Sequence, residues 1–191
     1  MALSAPEQRL LDEYGVSLTV DSAPPGGNFL PFRRHGEVVY ISGRIPETLT
    51  SEMLADATKA EAKGLIFTGN QDATAAPFAC GRMGTGDPSF VSVEEAQAAA
   101  RLCTVALLRN LKLACPDGDL GRVTGFLRVE GFVNAEADFA QHPKVVNGCS
   151  DMICDLFGKD VGAHSRFAVG AGSLPLGVCV EIAAVVAVKE S

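Results

Sequence analysis

The sequence predicts an α+β fold with two long helices packed on one face of a mixed sheet. Three observations predict it: an apolar repeat of helical period over residues 93–111, a second over 143–157, and runs rich in β-branched residues around them, of which 178–188 is the richest. With 191 residues, 47% hydrophobic and 20% charged, the chain suits a single core-bearing domain spanning 1–191.

Residues 4–14 carry Leu10, Leu11 and Tyr14 among charged neighbours, an amphipathic helix that Gly15 ends. A proline and glycine cluster at 23–27 punctuates. Residues 29–34 and 37–42 read as two strands of a hairpin around Arg34-His35-Gly36. Residues 47–87 read as an insertion: 53–63 fits a helix, 65–68 a short strand, and the rest is turn-rich through Gly81, Gly84 and Gly86. With few apolar anchors, this insertion is expected outside the core sheet.

Ser92-Val93-Glu94-Glu95 is a capping box. After it Val93, Ala96, Ala100, Cys103, Leu107 and Leu111 recur on one helix face, opposite Glu94, Gln97, Arg101, Arg109 and Lys112. Beyond 116–118, residues 122–133 alternate as a strand, with Val123, Leu127, Val129 and Val133 on one side and Thr124, Phe126, Arg128, Glu130 and Phe132 on the other. Pro143 suits the first turn of the second helix, Val146, Ile153, Leu156 and Phe157 form its apolar side, and Gly158 ends it. Two strands follow, 164–169 and 178–188, joined as a hairpin by the 170–177 turn. The sheet face away from the helices keeps Phe126, Phe132, Phe167 and much of the last strand apolar, so sister subunits are expected to cover it.

Several function classes are disfavoured. A net charge of -7 repels polyphosphate, and Arg33-Arg34 is the only adjacent basic pair, which argues against nucleic acid. Six cysteines without a Cys-x-x-Cys pair and three dispersed histidines (His35, His142, His164) give neither a metal set nor a disulfide framework. No Walker loop, Gly-x-Ser-x-Gly or His-Glu-x-x-His occurs, so no cofactor is implied. There is no leader pattern at residues 1–12 and no run of about 20 apolar residues. The expected compartment is the cytoplasm, with no membrane partner.

The last strand holds one charge, Glu181, and the hairpin reading brings it near Arg166 or near the counterpart in a neighbouring subunit. Two uses of the pair stand side by side. One is a structural ion pair. The other is a site in which the guanidinium fork grips a small carboxylate while the glutamate deprotonates water.

Taken in order, Tyr40-Ile41-Ser42-Gly43-Arg44-Ile45-Pro46, the helix at 94–111, Asp119-Leu120-Gly121-Arg122-Val123, Phe132-Val133-Asn134 with Asp138-Phe139, and Arg166 with Leu174-Pro175 and Val180-Glu181-Ile182 resemble the Rid (YjgF) family. The resemblance implies a chorismate-mutase-like fold and a homotrimer whose sheets line a barrel, with ligand sites in clefts between subunits. It implies that Arg166 grips the ligand carboxylate, that Glu181 stands at the attacking water, and that Ser42, Gly43 and Asn147 line the cleft. Phe29 takes the place of a tyrosine. The activity implied is hydrolysis of 2-imino or enamine acids to 2-keto acids and ammonia. The alternatives are a non-catalytic trimer that binds a small carboxylate metabolite and, behind it, an endoribonuclease or translation inhibitor. Phe29, Phe167-Ala168 and the long 47–87 segment depart from the family pattern and mark a divergent branch.

Overall fold

The helical repeat after the capping box becomes α3, Val93–Ala114. Its start is fixed reciprocally: the Glu95 N–H donates to the Ser92 hydroxyl at 3.2 Å, and the Ser92 N–H donates to the Glu95 carboxylate at 2.8 Å. The computed structural model describes residues 3–18, 27–66, 82–84 and 91–190. Within them α1 (Ala5–Tyr14), α2 (Ala57–Ala62), α3, α4 (His142–Phe157) and α5 (Lys159–Gly162) accompany strands β1 (Phe32–His35), β2 (Val38–Arg44), β3 (Val123–Asn134), β4 (Ser165–Ala171) and β5 (Val180–Val188). The strands form one mixed sheet of order β1-β2-β5-β3-β4, antiparallel except for the parallel β3–β4 pair.

Burial of α3 extends well beyond the predicted stripe, to Ala98, Leu102, Val105, Ala106 and Leu108. The sheet packs on one side of the helix and α4 on another. The two helices approach so closely that a Cβ on Gly148 would stand 2.1 Å from the Gln97 carbonyl oxygen, so that position tolerates no side chain. Among the described residues no helix is long and apolar enough to cross a membrane.

Strict alternation fails in β3. The register slips between Val123 and Gly125 and again between Phe126 and Arg128. Each slip adds an unpaired residue, so Val123, Phe126 and Val129 all face the core at a spacing of three. Phe126 is therefore a core residue, set edge-on to Phe157 with ring centroids 5.0 Å apart, and Leu127 is exposed. This reverses the sides predicted for both.

The hairpin expected between the last two strands does not form. The chain leaves β3, crosses through α4 and α5, and lays β4 parallel on the outer edge of β3. Strand β5 then inserts on the other side of β3, where β2 closes its second edge. Arg166 and Glu181 are thus separated by a strand.

Residues 47–66 and 82–84 supply no strand to the sheet, yet they anchor in the core. Met53, Ala60, Leu65 and Met83 are buried to within 2% of their surface. The Met53 carbonyl accepts from Ser17 at 2.8 Å, and Met83 bridges the end of β3, donating to the Asn134 carbonyl at 2.8 Å. The expectation of few anchors is corrected: widely spaced single methionines and leucines do not register as a periodic pattern. The expected helix shrinks to α2, which starts where Asp56 accepts from the Lys59 N–H. Leu65 and Ile66 are not in a strand, and residues 67 and 68 lie outside the described set. Met53→Ala is expected to cost about 2–5 kcal/mol. Urea unfolding checks it: an unchanged midpoint would show that this segment is peripheral.

Candidate functional site

Strand β4 is an edge, and α4 runs beside it. Arg166, opposite Val129 in the register, points to the helix layer. Its Nη1 donates to Asn147 Oδ1 at 2.9 Å and to Ser150 Oγ at 2.8 Å, both one turn apart on α4, and its Nη2 donates to the Pro143 carbonyl at 3.4 Å. Behind Ser150, His164 places Nε2 at 3.0 Å from the hydroxyl and Nδ1 at 2.6 Å from the Gly162 carbonyl. With both Nη1 hydrogens taken, Nε–H and the second Nη2 hydrogen remain as a parallel pair. That edge suits a carboxylate held bidentately.

Glu181 occupies the opposite face of the sheet. On β5, Val180, Ile182, Ala184, Val186 and Val188 are buried toward the helices, whereas Glu181, Ala183, Val185 and Ala187 stand half-exposed on the other side. The register puts Glu181 beside Phe132 of β3. Its carboxylate folds over the end of β2, where a Cβ on Gly43 would lie 2.2 Å from Oε1. A side chain at Gly43 would push the carboxylate out of this position. A register shift between Ile41 and Arg44 carries Ser42 and Gly43 through this turn of the strand, and the Ser42 hydroxyl donates to the Leu30 carbonyl at 2.7 Å. Phe29, next along, is 49% exposed and has no hydroxyl to offer.

Burial pushes the Glu181 carboxyl above its ordinary value of 4.5, and the Arg44 guanidinium nearby partly offsets that. The Glu181 carboxylate makes no hydrogen bond or ion pair with any described residue. Arg44 is half-buried, and its Nε lacks a partner among the described residues. Behind Arg44 a buried ion pair closes the end of the sheet: Arg109 Nη1 lies 2.7 Å from Glu47 Oε2, with the side chains 6% and 12% exposed.

The sequence-predicted residues therefore gather in two halves. Glu181, Ser42 and Gly43, with Phe29 close by in the chain, form one; Arg166 and Asn147 form the other. Within one chain β3 and the thickness of the sheet lie between them. Ser150 and His164 escaped the sequence reading because their link to Arg166 runs across helix and strand, although His164 sits two residues from it. Arg109 was placed on a polar helix face, and nothing local to it announces Glu47, 62 residues away. Among the described residues no group of three or more His, Cys, Asp and Glu side chains is placed to hold a metal ion.

Two stability tests follow from these environments. Arg109→Ala strands the buried Glu47 carboxylate and is expected to cost about 3–5 kcal/mol, whereas Arg166→Ala, at a residue with no anionic partner among the described residues and a solvent-facing edge, costs about 1 kcal/mol. Equal losses in denaturant unfolding would overturn that contrast. For Glu181, a raised folded value means that the folded chain binds the proton more tightly than the unfolded one. Stability accordingly falls as pH climbs from about 4.5 through the folded value. Glu181→Gln should melt above wild type at pH 7 and level with it at pH 4, read by calorimetric scans at both values.

Comparison with known proteins agrees with this architecture. The sequence profile described as "YjgF/chorismate mutase-like, putative endoribonuclease" matches residues 78–186. Protein TCP17 of Trypanosoma cruzi is 31% identical over 176 residues, which is 92% of this chain and 90% of that protein. The crystal structure of Atu1372 from Agrobacterium tumefaciens superposes with a TM-score of 0.70 at 31% identity, over 97% of this chain and 94% of that one. That of a "putative endoribonuclease" from Shewanella oneidensis MR-1 also gives 0.70, at 25% identity, over 97% and 100%. The strand order, the helix layer and the matched profile lead to one conclusion: the chain belongs to the YjgF/chorismate-mutase-like family, the Rid family of the sequence resemblance.

Proposed function

We propose that this chain works as a homotrimer whose inter-subunit clefts hydrolyse small 2-imino or enamine acids to 2-keto acids and ammonia. The observation that carries the reading is the division of the site, since Arg166 and Glu181 stand on opposite faces of the sheet with β3 between them. Each half is short of something among the described residues: Arg166 has an open bidentate edge and Glu181 has no cation at contact distance. A ring closed through the half-exposed sheet face lets Arg166 of one subunit meet Glu181, Ser42 and Gly43 of the next. That face supports assembly, with Phe132 and Phe167 edge-to-face at 5.6 Å, Val169 exposed beside Phe132 and Tyr40 exposed farther along it.

In such a cleft the substrate carboxylate lies on Arg166, with C2 held toward Glu181. Water attacks C2 of the protonated imine, Glu181 takes the water proton, and the C=N pair moves to nitrogen to give a carbinolamine. Glu181 returns that proton to the amine. The C2–N bond then breaks, the C2 hydroxyl becomes the keto group, and its proton leaves with ammonia as ammonium. A carboxyl raised by burial accepts a proton more readily than an exposed one, which suits it to this shuttle.

The second reading is a non-catalytic trimer that binds a small carboxylate metabolite. Phe29 favours it, because a phenyl ring on the cleft rim can neither donate nor accept a proton. The endoribonuclease reading gains nothing from a chain of net charge -7.

Ammonia release in an assay coupled to an amino-acid oxidase or a threonine dehydratase separates these readings. The expected result is a rate well above buffer, cut roughly 10²- to 10⁴-fold in Glu181→Gln while 2-ketobutyrate still binds. A rate equal to buffer with binding intact leaves the binding trimer. Sedimentation as a stable monomer at micromolar concentration would sink the assembled cleft.

A further inference from the structure

The bonds that hold Arg166 have a direction, and it is set at their far end. The Gly162 carbonyl oxygen can only accept, so His164 Nδ1, 2.6 Å away, carries the ring hydrogen. In the neutral ring Nε2 is then an acceptor, and Ser150, 3.0 Å from it, donates its hydroxyl proton there. The lone pairs of that hydroxyl are left to Arg166 Nη1, which donates at 2.8 Å. Three groups thus donate in sequence, each bond polarising the next. A serine beside a histidine resembles a nucleophile and its base. Here the serine oxygen already accepts from a guanidinium, which withdraws the electron density that a nucleophile needs. The arrangement is a brace.

We propose that Ser150 and His164 are positioning residues for carboxylate recognition. Through the Gly162–His164–Ser150 chain they fix the Arg166 guanidinium so that its Nε/Nη2 edge alone faces the ligand. The inference rests on the reading of Arg166 as the carboxylate anchor. Asn147 joins the brace: its Oδ1 holds the second Nη1 hydrogen at 2.9 Å, so it acts on the ligand through Arg166. Without the serine oxygen, Nη1 keeps its bond to Asn147 and Nη2 its longer one to the Pro143 carbonyl, so the guanidinium is held less firmly about its last torsions. The ligand must then supply the ordering that the protein now builds in.

The test measures 2-ketobutyrate affinity by calorimetry and KM against kcat in the ammonia assay, on the full chain. Ser150→Ala and His164→Leu should each weaken affinity and raise KM about tenfold with kcat nearly unchanged, as for one charge-assisted hydrogen bond. Ser150→Thr retains the hydroxyl, and His164→Gln puts an amide oxygen where Nε2 accepts; both should bind within about twofold of wild type. Arg166→Ala is the reference. If it abolishes binding while Ser150→Ala and His164→Leu bind as wild type, the brace is refuted and the anchor stands. Losses in Ser150→Thr and His164→Gln as large as in the apolar variants would also refute it, since packing alone would then explain the effect. Should Ser150→Ala not fold, His164→Leu carries the same test with the serine in place. Wild-type affinity in Arg166→Ala would remove the anchor itself.

Discussion

The fold depends on one strand with no free edge. Strand β5 pairs with β2 on one side and β3 on the other, and its inner residues, Val180, Ile182, Ala184, Val186 and Val188, are buried under the helix layer. A strand paired with β3 from Val180 to Val188 and with β2 from Ile182 to Ala187 has most of its backbone groups in ladders and offers variation chiefly through its outward side chains. Three of the four outward residues are alanine or valine; the fourth is Glu181. Placing a carboxylate there raises its proton affinity, and the protein keeps it at a position where Gly43 makes space and Arg44 offsets part of the desolvation. Such a placement is costly for stability and useful for chemistry, which is how functional groups commonly differ from structural ones.

Much of this was legible in the residues, though unevenly. The long helix announced itself because a capping box and a helical repeat agree, two local signals for one element. The outward position of Glu181 was legible for a similar reason: both slips in the β3–β5 pairing add their extra residue to β3, so period two holds along β5. In β3 the same rule misplaced Phe126 and Leu127, because a bulge adds a residue without changing composition. The strand pairing was misread for a different reason. Sequence neighbours usually pair, and the 170–177 turn looks like a hairpin, but α4 had already committed β4 to the far edge of β3. Topology of this kind follows from which edge is left open, a property of the whole sheet.

The candidate site shows the same division. Residue types with an obvious chemical use, Arg166 and Glu181, were visible one by one, whereas Ser42 and Gly43 entered only through the family resemblance. What holds them was not visible. Ser150 reaches Arg166 across 16 positions, Asn147 across 19, and Arg109 reaches Glu47 across 62. None of these spacings belongs to a helix or strand period. Supporting partners of a functional group come from whichever element packs beside it, so they become readable only once the fold is known.

A site divided across a sheet also constrains how the protein can vary. If each half served a separate ligand, the two could drift independently and the apolar outer face would need some other cover. Under the proposed ring, one contact does both tasks: closing the sheet face over Phe132 and Phe167 sets the distance between the arginine of one subunit and the glutamate of the next. A change on that face then alters ligand geometry without touching a ligand-binding residue, because an error of about 1 Å between two rigidly held groups is enough to lower activity substantially. The brace on Arg166 fits this logic. Where two halves of a site arrive on different subunits, neither can correct the other's position, so each must be ordered before they meet.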